Sequence, residues 1–292
     1  MVSFHTVGEL VRLAEEKDVP IHEIVIAHEM HDAQRTRQAL LDEMKKNWEV
    51  MQAATERGIE NEEHSVSGLT GGDAEKIYAY AERGYLGTRV LHAAAYAVGV
   101  SEVNAVMGRI VACPTAGSCG IVPAALYVAR EQRCVSEEAI VGALFTAAGI
   151  GMVIDQNASI AGAEGGCQAE CGTAAGMAAA ALVELAGGTP AAVGNACALA
   201  IKNLLGLACD PVAGLVEVPC VKRNGFCTVH AMLAADMSLA GVKSVIPIDD
   251  VIEALAAIGR MMPHALKETA EGGLAATETG RALAAQIYPL HS

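Results

Sequence analysis

Between Glu138 and Asp155 the chain runs for sixteen residues, Ala139 to Ile154, without a single charge. Such a stretch has to leave water, yet a bilayer span needs roughly 20 apolar residues. The run also contains Gly142, Thr146, Gly149 and Gly151, so it predicts a buried core helix and no membrane association. The rest of the composition agrees. Hydrophobic residues make up 52% of the chain and charged residues 18%, while aromatics supply only 3%. Few rings and many Ala and Gly residues let helices approach closely, which favours a compact helical body over a β-sandwich. The expected fold class is all-α, a compact bundle of Ala/Gly-rich helices with Gly-rich active-site loops.

Charge is unevenly spread. Residues 1–64 hold 21 of the 54 charged side chains, and their apolar positions recur at three- and four-residue intervals. Residues 5–17 and 21–57 therefore read as amphipathic surface helices. Beyond Ser65, Gly-rich punctuation alternates with Ala-rich runs. Asp73 is the expected N-cap of a helix ending near Gly84, and Ser136 caps another, with Glu137 and Glu138 in its first turn. Residues 173–186 form a helix closed by Gly187 and Gly188, after which Thr189 and Pro190 start the next. A further helix begins at Asp249 and runs to about Arg260. No linker or internal repeat interrupts the pattern, so residues 1–292 are expected to form one domain: a charged helical segment (1–64) on an apolar body (65–292).

The net charge of −14 and the lack of a Lys/Arg cluster argue against a nucleic-acid partner and suit a small metabolite. The first fifteen residues mix His5, Glu9 and Arg12 into the apolar run, unlike an export signal. Nine cysteines in such a chain point to a reducing, cytoplasmic setting, where they are thiols or metal ligands.

Four Gly-rich segments interrupt the helices, 65–72, 114–118, 157–162 and 165–167, and the first three carry hydroxyl or amide side chains. They expose backbone N–H groups beside side-chain donors, which is how a carboxylate is held; each also reads as an ordinary turn or cap. From Ile150 to Cys220 there are seven charged residues and five cysteines, namely Cys167, Cys171, Cys197, Cys209 and Cys220. Thiolates in a lightly charged, apolar setting suit a soft metal or an iron–sulfur cluster. The spacings match neither zinc ribbons nor ferredoxins, and periodicity alone does not separate ligands from core fillers.

Two segments, Asn157-Ala158-Ser159-Ile160-Ala161-Gly162-Ala163-Glu164-Gly165-Gly166-Cys167-Gln168-Ala169-Glu170 and Leu205-Gly206-Leu207-Ala208-Cys209-Asp210-Pro211-Val212-Ala213-Gly214-Leu215-Val216-Glu217-Val218-Pro219-Cys220, closely resemble the α chain of iron–sulfur L-serine dehydratases. Ser67-Gly68-Leu69-Thr70-Gly71-Gly72-Asp73, Pro114-Thr115-Ala116-Gly117 and Gly272-Gly273-Leu274-Ala275-Ala276-Thr277 match the same family. The resemblance implies an all-α fold and a 4Fe-4S cluster held by Cys167, Cys209 and Cys220. It implies substrate-holding loops at Ser67, Gly68 and Thr70, at Thr115 and Gly117, and at Asn157 and Ser159. It also implies deamination of L-serine to pyruvate and ammonia, the cluster's iron without a protein ligand acting as a Lewis acid.

A separate β chain is implied as partner, bearing a Ser-Ser-His-Thr motif with a candidate catalytic histidine. Phe4-His5-Thr6-Val7-Gly8 echoes that motif without its serines. In this chain the candidate base is His230, which also reads as a packed helix histidine. The tail Ile287-Tyr288-Pro289-Leu290-His291-Ser292 has no cysteine to cover the fourth iron, as some single-chain relatives do. Cys113, Cys119, Cys134, Cys171, Cys197 and Cys227 have no role assigned by the resemblance; Cys113 and Cys171 are treated as structural. Three alternatives remain: an iron–sulfur lyase acting on L-cysteine, a pyridoxal-phosphate enzyme using Lys202 or Lys222, and a non-catalytic cluster-carrying subunit. The absence of a Gly-rich phosphate loop in a βα context argues against pyridoxal phosphate.

Overall fold

A computed structural model describes residues 2–289. Among these there are thirteen α-helices and no strand. They are α1 (Val7–Lys17), α2 (Ile21–Asp32), α3 (Arg37–Glu60), α4 (Asp73–Tyr80), α5 (Thr88–Ala105), α6 (Ile121–Arg133), α7 (Glu137–Asn157), α8 (Gly162–Gly165), α9 (Thr173–Leu185), α10 (Pro190–Lys202), α11 (Cys220–Leu239), α12 (Ile248–Met261) and α13 (Glu278–Ile287). The all-α expectation holds.

Local signals place most helix starts. Ser136 Oγ accepts from Ala139 N at 3.2 Å and Thr189 Oγ1 from Ala192 N at 3.2 Å, with Pro190 at the first helical position. Each such cap contributes about 1 kcal/mol. The uncharged run lies inside α7, which is long and apolar enough to cross a membrane by composition and whose residues are mostly buried in the core.

At the centre sits α9, where every residue from Thr173 to Ala181 is buried, packed against α6, α7, α10 and α11. Ala and Gly make this possible, because helix separation is set by the side chains at the contact. The crossing of α3 and α5 shows the limit: a Cβ on Gly58 would come 2.6 Å from Gly99 Cα. One charge interrupts the apolar surface of α9. Glu184 accepts from Thr146 Oγ1 on α7 at 2.6 Å, from Ile21 N on α2 at 2.8 Å, and pairs with His22 Nδ1 at 2.7 Å. A single carboxylate thus pins three helices.

Three expectations are corrected. Residues 21–57 do not form one continuous amphipathic stretch: the helix breaks between Asp32 and Arg37, and Thr36 caps the second part. Nor do the N-terminal helices merely coat the surface, since Phe4, Val7, Leu10, Ile21, Ile24, Val25, Ile26 and Trp48 all lie in the main core. Finally, Asp73 is not a cap but the first residue of α4. Gly72, at φ 70°, takes the cap position, where its left-handed backbone carries no steric cost. The amides of Asp73 and Ala74 are then satisfied from elsewhere, by the fully buried Glu102 carboxylate on α5, at 2.9 and 3.3 Å.

Candidate active site

Cys167 joins two thiols from later in the chain, Cys209 and Cys220, within electrostatic reach of one another. Cys167 follows α8 and opens a π-helical turn, Gln168–Gly172, before α9; such turns recur at functional sites. Cys209 lies in the connection after α10, held by Cys209 N donating to Leu266 O at 2.9 Å and Glu268 N donating to Cys209 O at 2.8 Å. Cys220 is the first residue of α11. Their exposures are 2%, 2% and 7%. Burial raises the pKa of Cys209, and the Glu170 carboxylate and the other two thiols add to it. Burial pushes Cys220 up to about 12, with Cys167 and Glu170 adding to it. Cys167 differs: the Cys171 thiol, its sulfur 3.4 Å away, and the Arg223 charge hold it below the ordinary thiol value despite burial.

Among the described residues, no three His, Cys, Asp or Glu side chains close on a point that a single ion could fill. The three thiols do lie within electrostatic reach of one another: Cys167 and Cys220 act on Cys209, and Cys167 acts on Cys220. That donor set fits an iron–sulfur cluster, in which each thiolate binds a different iron. Buried soft donors with a neighbouring guanidinium are the chemistry such a group requires.

The hydroxyl loops dock around these thiols through buried carboxylates. Thr115 Oγ1 donates to Glu170 Oε1 at 2.7 Å, and the Cys209 thiol donates to Glu170 Oε2 at 3.8 Å. Glu170 is 9% exposed, and burial raises its pKa; Glu268 nearby raises it further. Gly117 and Gly162 flank this carboxylate, for a Cβ there would stand 3.1 and 2.6 Å from its oxygens. Asn224 on α11 donates to Gly117 O at 2.8 Å and to Cys220 O at 2.9 Å, and accepts from Gly120 N at 2.9 Å, tying the 114–120 loop to the Cys220 end of α11. The 65–72 loop is held likewise: Ser65 and Ser67 donate to the same oxygen of buried Glu217 at 2.6 and 2.7 Å. In that loop Thr70 Oγ1 is buried with no hydrogen-bond partner. Gly68, at φ 74°, turns the loop.

The structure therefore groups the 65–72 loop (Ser67, Gly68, Thr70) and the 114–118 loop (Thr115, Gly117) with Cys167, Cys209 and Cys220. Asn157 and Ser159 make hydrogen bonds of their own, while Gly162 of the same segment stands against Glu170. Asn157 Nδ2 donates to His5 O and Val153 O, both at 2.8 Å, and Ser159 Oγ accepts from Ala161 N at 3.1 Å. His230 hydrogen-bonds Ala200 O at 2.8 Å through Nε2, ten residues along α11 from Cys220, or about 15 Å. Lys202 donates to Ser244 O at 2.6 Å, and Lys222 pairs with Asp73 at 2.5 Å.

Sequence reasoning left Glu170, Asp210, Glu217, Arg223 and Asn224 without roles, and counted Cys171 as a structural thiol although it lies against Cys167. A signal for the acids was present. Of the seven charged residues between Ile150 and Cys220, Glu170, Asp210 and Glu217 are buried around the thiols. A lone charge in an apolar run needs a partner.

Residues 16–275 match the model of the family described as "Serine dehydratase alpha chain". The chain is 51% identical over 287 residues to the "Probable L-serine dehydratase, alpha chain" of Bacillus subtilis, covering 98% of this chain and 95% of that one. It is 41% identical over 279 residues to the "L-serine dehydratase, alpha chain" of Peptoniphilus asaccharolyticus, covering 95% and 96%. The "L-serine dehydratase" of Streptomyces coelicolor is 40% identical over 281 residues, but these span 93% of this chain and only 60% of that longer protein. With thiols, hydroxyl loops and buried carboxylates gathered in one place and a family match over most of its length, the chain belongs to the serine dehydratase alpha chain family.

Proposed function

We propose that this chain is the cluster-bearing subunit of an enzyme that deaminates L-serine to pyruvate and ammonia, completed by a β chain. The observation that carries this reading is the convergence of three buried thiols, from three separate segments, beside two hydroxyl-bearing loops. A 4Fe-4S cluster on Cys167, Cys209 and Cys220 would supply Lewis acidity toward the serine hydroxyl, a poor leaving group at neutral pH.

The remaining work falls to side chains. Thr70 Oγ1, buried and unpaired, is a donor waiting for an acceptor, which a substrate carboxylate provides. Leaving such a group empty costs about 1–3 kcal/mol, which is recovered when ligand binds. Glu217 fixes the loop that carries it through Ser65 and Ser67. Glu170 orients the Thr115 hydroxyl beside the thiols, and Gly117 and Gly162 leave that carboxylate room. These groups bind and orient the substrate. His230 is engaged with Ala200 O, so the base that takes the α-proton is assigned to the β chain. A reducing cytoplasm suits the nine free thiols.

The test is anaerobic purification followed by iron and sulfide analysis, with turnover of L-serine and L-cysteine measured side by side after adding the β chain. Bound iron and turnover of L-serine are expected in the wild type. Cys167→Ser, Cys209→Ser and Cys220→Ser should each lose most iron and all turnover, while Cys134→Ser, at an exposed thiol, should lose neither. Full activity in Cys209→Ser protein, or faster turnover of L-cysteine, would overturn the reading.

A further inference from the structure

Thiols on separate segments need something that fixes those segments to one another, and one side chain ties the Cys209 segment to the Cys220 helix while its charge reaches Cys167. Arg223 stands one helical turn after Cys220 on α11, its side chain 18% exposed. It donates through Nη1 to Ala208 O at 2.7 Å and through Nη2 to Asp210 Oδ1 at 3.0 Å, so its two hydrogen bonds bracket Cys209 from both sides in sequence. The same guanidinium lies close enough to Cys167 for its charge to lower the pKa of that thiol. Asp210 is itself braced, accepting from Leu274 N at 2.8 Å. A guanidinium is a planar fork that holds several acceptors at fixed angles, which a lysine ammonium does not reproduce.

We propose that Arg223 is the positioning residue of the cluster site: it fixes Cys209 against the Cys220 end of α11 before iron arrives, and its charge offsets that of the loaded thiolates. This rests on the reading of those three cysteines as cluster ligands. The charge is well placed for the second role, since groups bonded to cluster sulfurs set the reduction potential. The same neighbours govern loading, because partners of metal ligands typically change metal affinity by about 10- to 100-fold when removed.

The experiment uses the full chain with its β chain, reconstituted anaerobically with ferrous iron and sulfide. The readouts are the rate and stoichiometry of iron uptake, the midpoint potential of the loaded cluster, and the circular dichroism melt. Arg223→Met should take up iron at least about tenfold more slowly, and its loaded fraction should have a more negative potential. Arg223→Lys, which keeps the charge and loses the fork, should load slowly and recover most of the potential. That separation between charge and geometry is one a purely structural arginine would not produce. Should Arg223→Met fail to fold, Asp210→Asn removes one anchor while leaving the guanidinium, and a smaller slowing in the same direction is expected. Wild-type loading rate and wild-type potential in Arg223→Met, or in Asp210→Asn when the former does not fold, would overturn the inference while leaving the proposed function intact. A wild-type chain that binds no iron would overturn both.

Discussion

The loops at 65–72 and 157–162 look alike in sequence, each mixing glycine or alanine with serine and a hydrogen-bonding neighbour, yet they end in different situations. Ser65 and Ser67 reach across 150 or more positions to Glu217, and Thr70 keeps a buried hydroxyl with no partner. Asn157 and Ser159 satisfy themselves on Val153, His5 and Ala161, chiefly with near neighbours. The first loop rests on a distant buried carboxylate and has a donor to spare; the second bonds mainly to near neighbours, with His5 O as a distant partner. The unmet donor at Thr70 is what separates the two loops, and residue composition does not reveal it.

The strongest way to break this contrast is Glu217→Ala. It orphans two buried or half-buried hydroxyls at once, and the expected loss is about 3 kcal/mol of stability, read by denaturant unfolding of the full chain. Unchanged unfolding would mean that the 65–72 loop has other anchors.

Thr70→Val sharpens the contrast from the opposite side. It replaces an unpaired hydroxyl with a methyl of similar size, so stability should hold or rise slightly. The Michaelis constant for L-serine should nevertheless rise by roughly tenfold or more, equivalent to about 1.4 kcal/mol of lost binding, with iron content unchanged. Thr115→Ala should behave similarly toward substrate, with some loss of stability because Glu170 then loses its donor. Wild-type kinetics in both variants would place the substrate elsewhere.

A pH experiment examines the anchor of the helix that follows the loop. Burial raises the pKa of Glu102 above its unfolded value, partly offset by the two amides it accepts. A folded carboxyl with a raised pKa binds its proton more tightly than the unfolded chain does. The stability that Glu102 lends is therefore present in acid and declines as pH rises from about 4.3, the unfolded value, through the folded one. Comparing wild type with Glu102→Gln, the difference in unfolding free energy should move in favour of the variant across that window and then level off. A pH-independent difference would contradict the shift.

The smallest effect is expected in the 157–162 loop. Asn157→Ala and Ser159→Ala should each change stability by about 0.5 kcal/mol or less and leave the Michaelis constant alone. A tenfold rise in either variant would return that loop to the substrate site and erase the contrast.

What the sequence made legible was mostly local. Ser136, Thr189 with Pro190, and the glycines after α9 act within four residues of themselves, so spacing reveals them. The long uncharged run declared its own burial. The cysteines were legible through family resemblance and not through spacing, since they come from three separate segments. Caps and clamps that act at a distance were not legible. Nothing near Asp73 says that Glu102 serves its amide, and nothing near Ser67 points to Glu217. The break after Asp32 falls in the polar stretch Gln34 to Gln38, where Thr36 was the local sign of a new helix start. The π-helical turn Gln168–Gly172 after Cys167 leaves no mark in the spacing of apolar residues.

The latch between the first helix and the twelfth bears on how the chain is made. Val7 N and Gly8 N, the opening amides of α1, donate to the carboxylate of Asp249 at 2.8 and 3.0 Å. Those partners are 242 positions apart, a distance a ribosome covers in roughly 12 to 48 seconds at typical elongation rates. For that interval α1 has its own Thr6 and Glu9 cap but not its outside acceptor. Cys167, Cys209 and Cys220 have all been polymerised before Asp249 is, so the nascent chain acquires its full thiol set while its two ends are still unjoined.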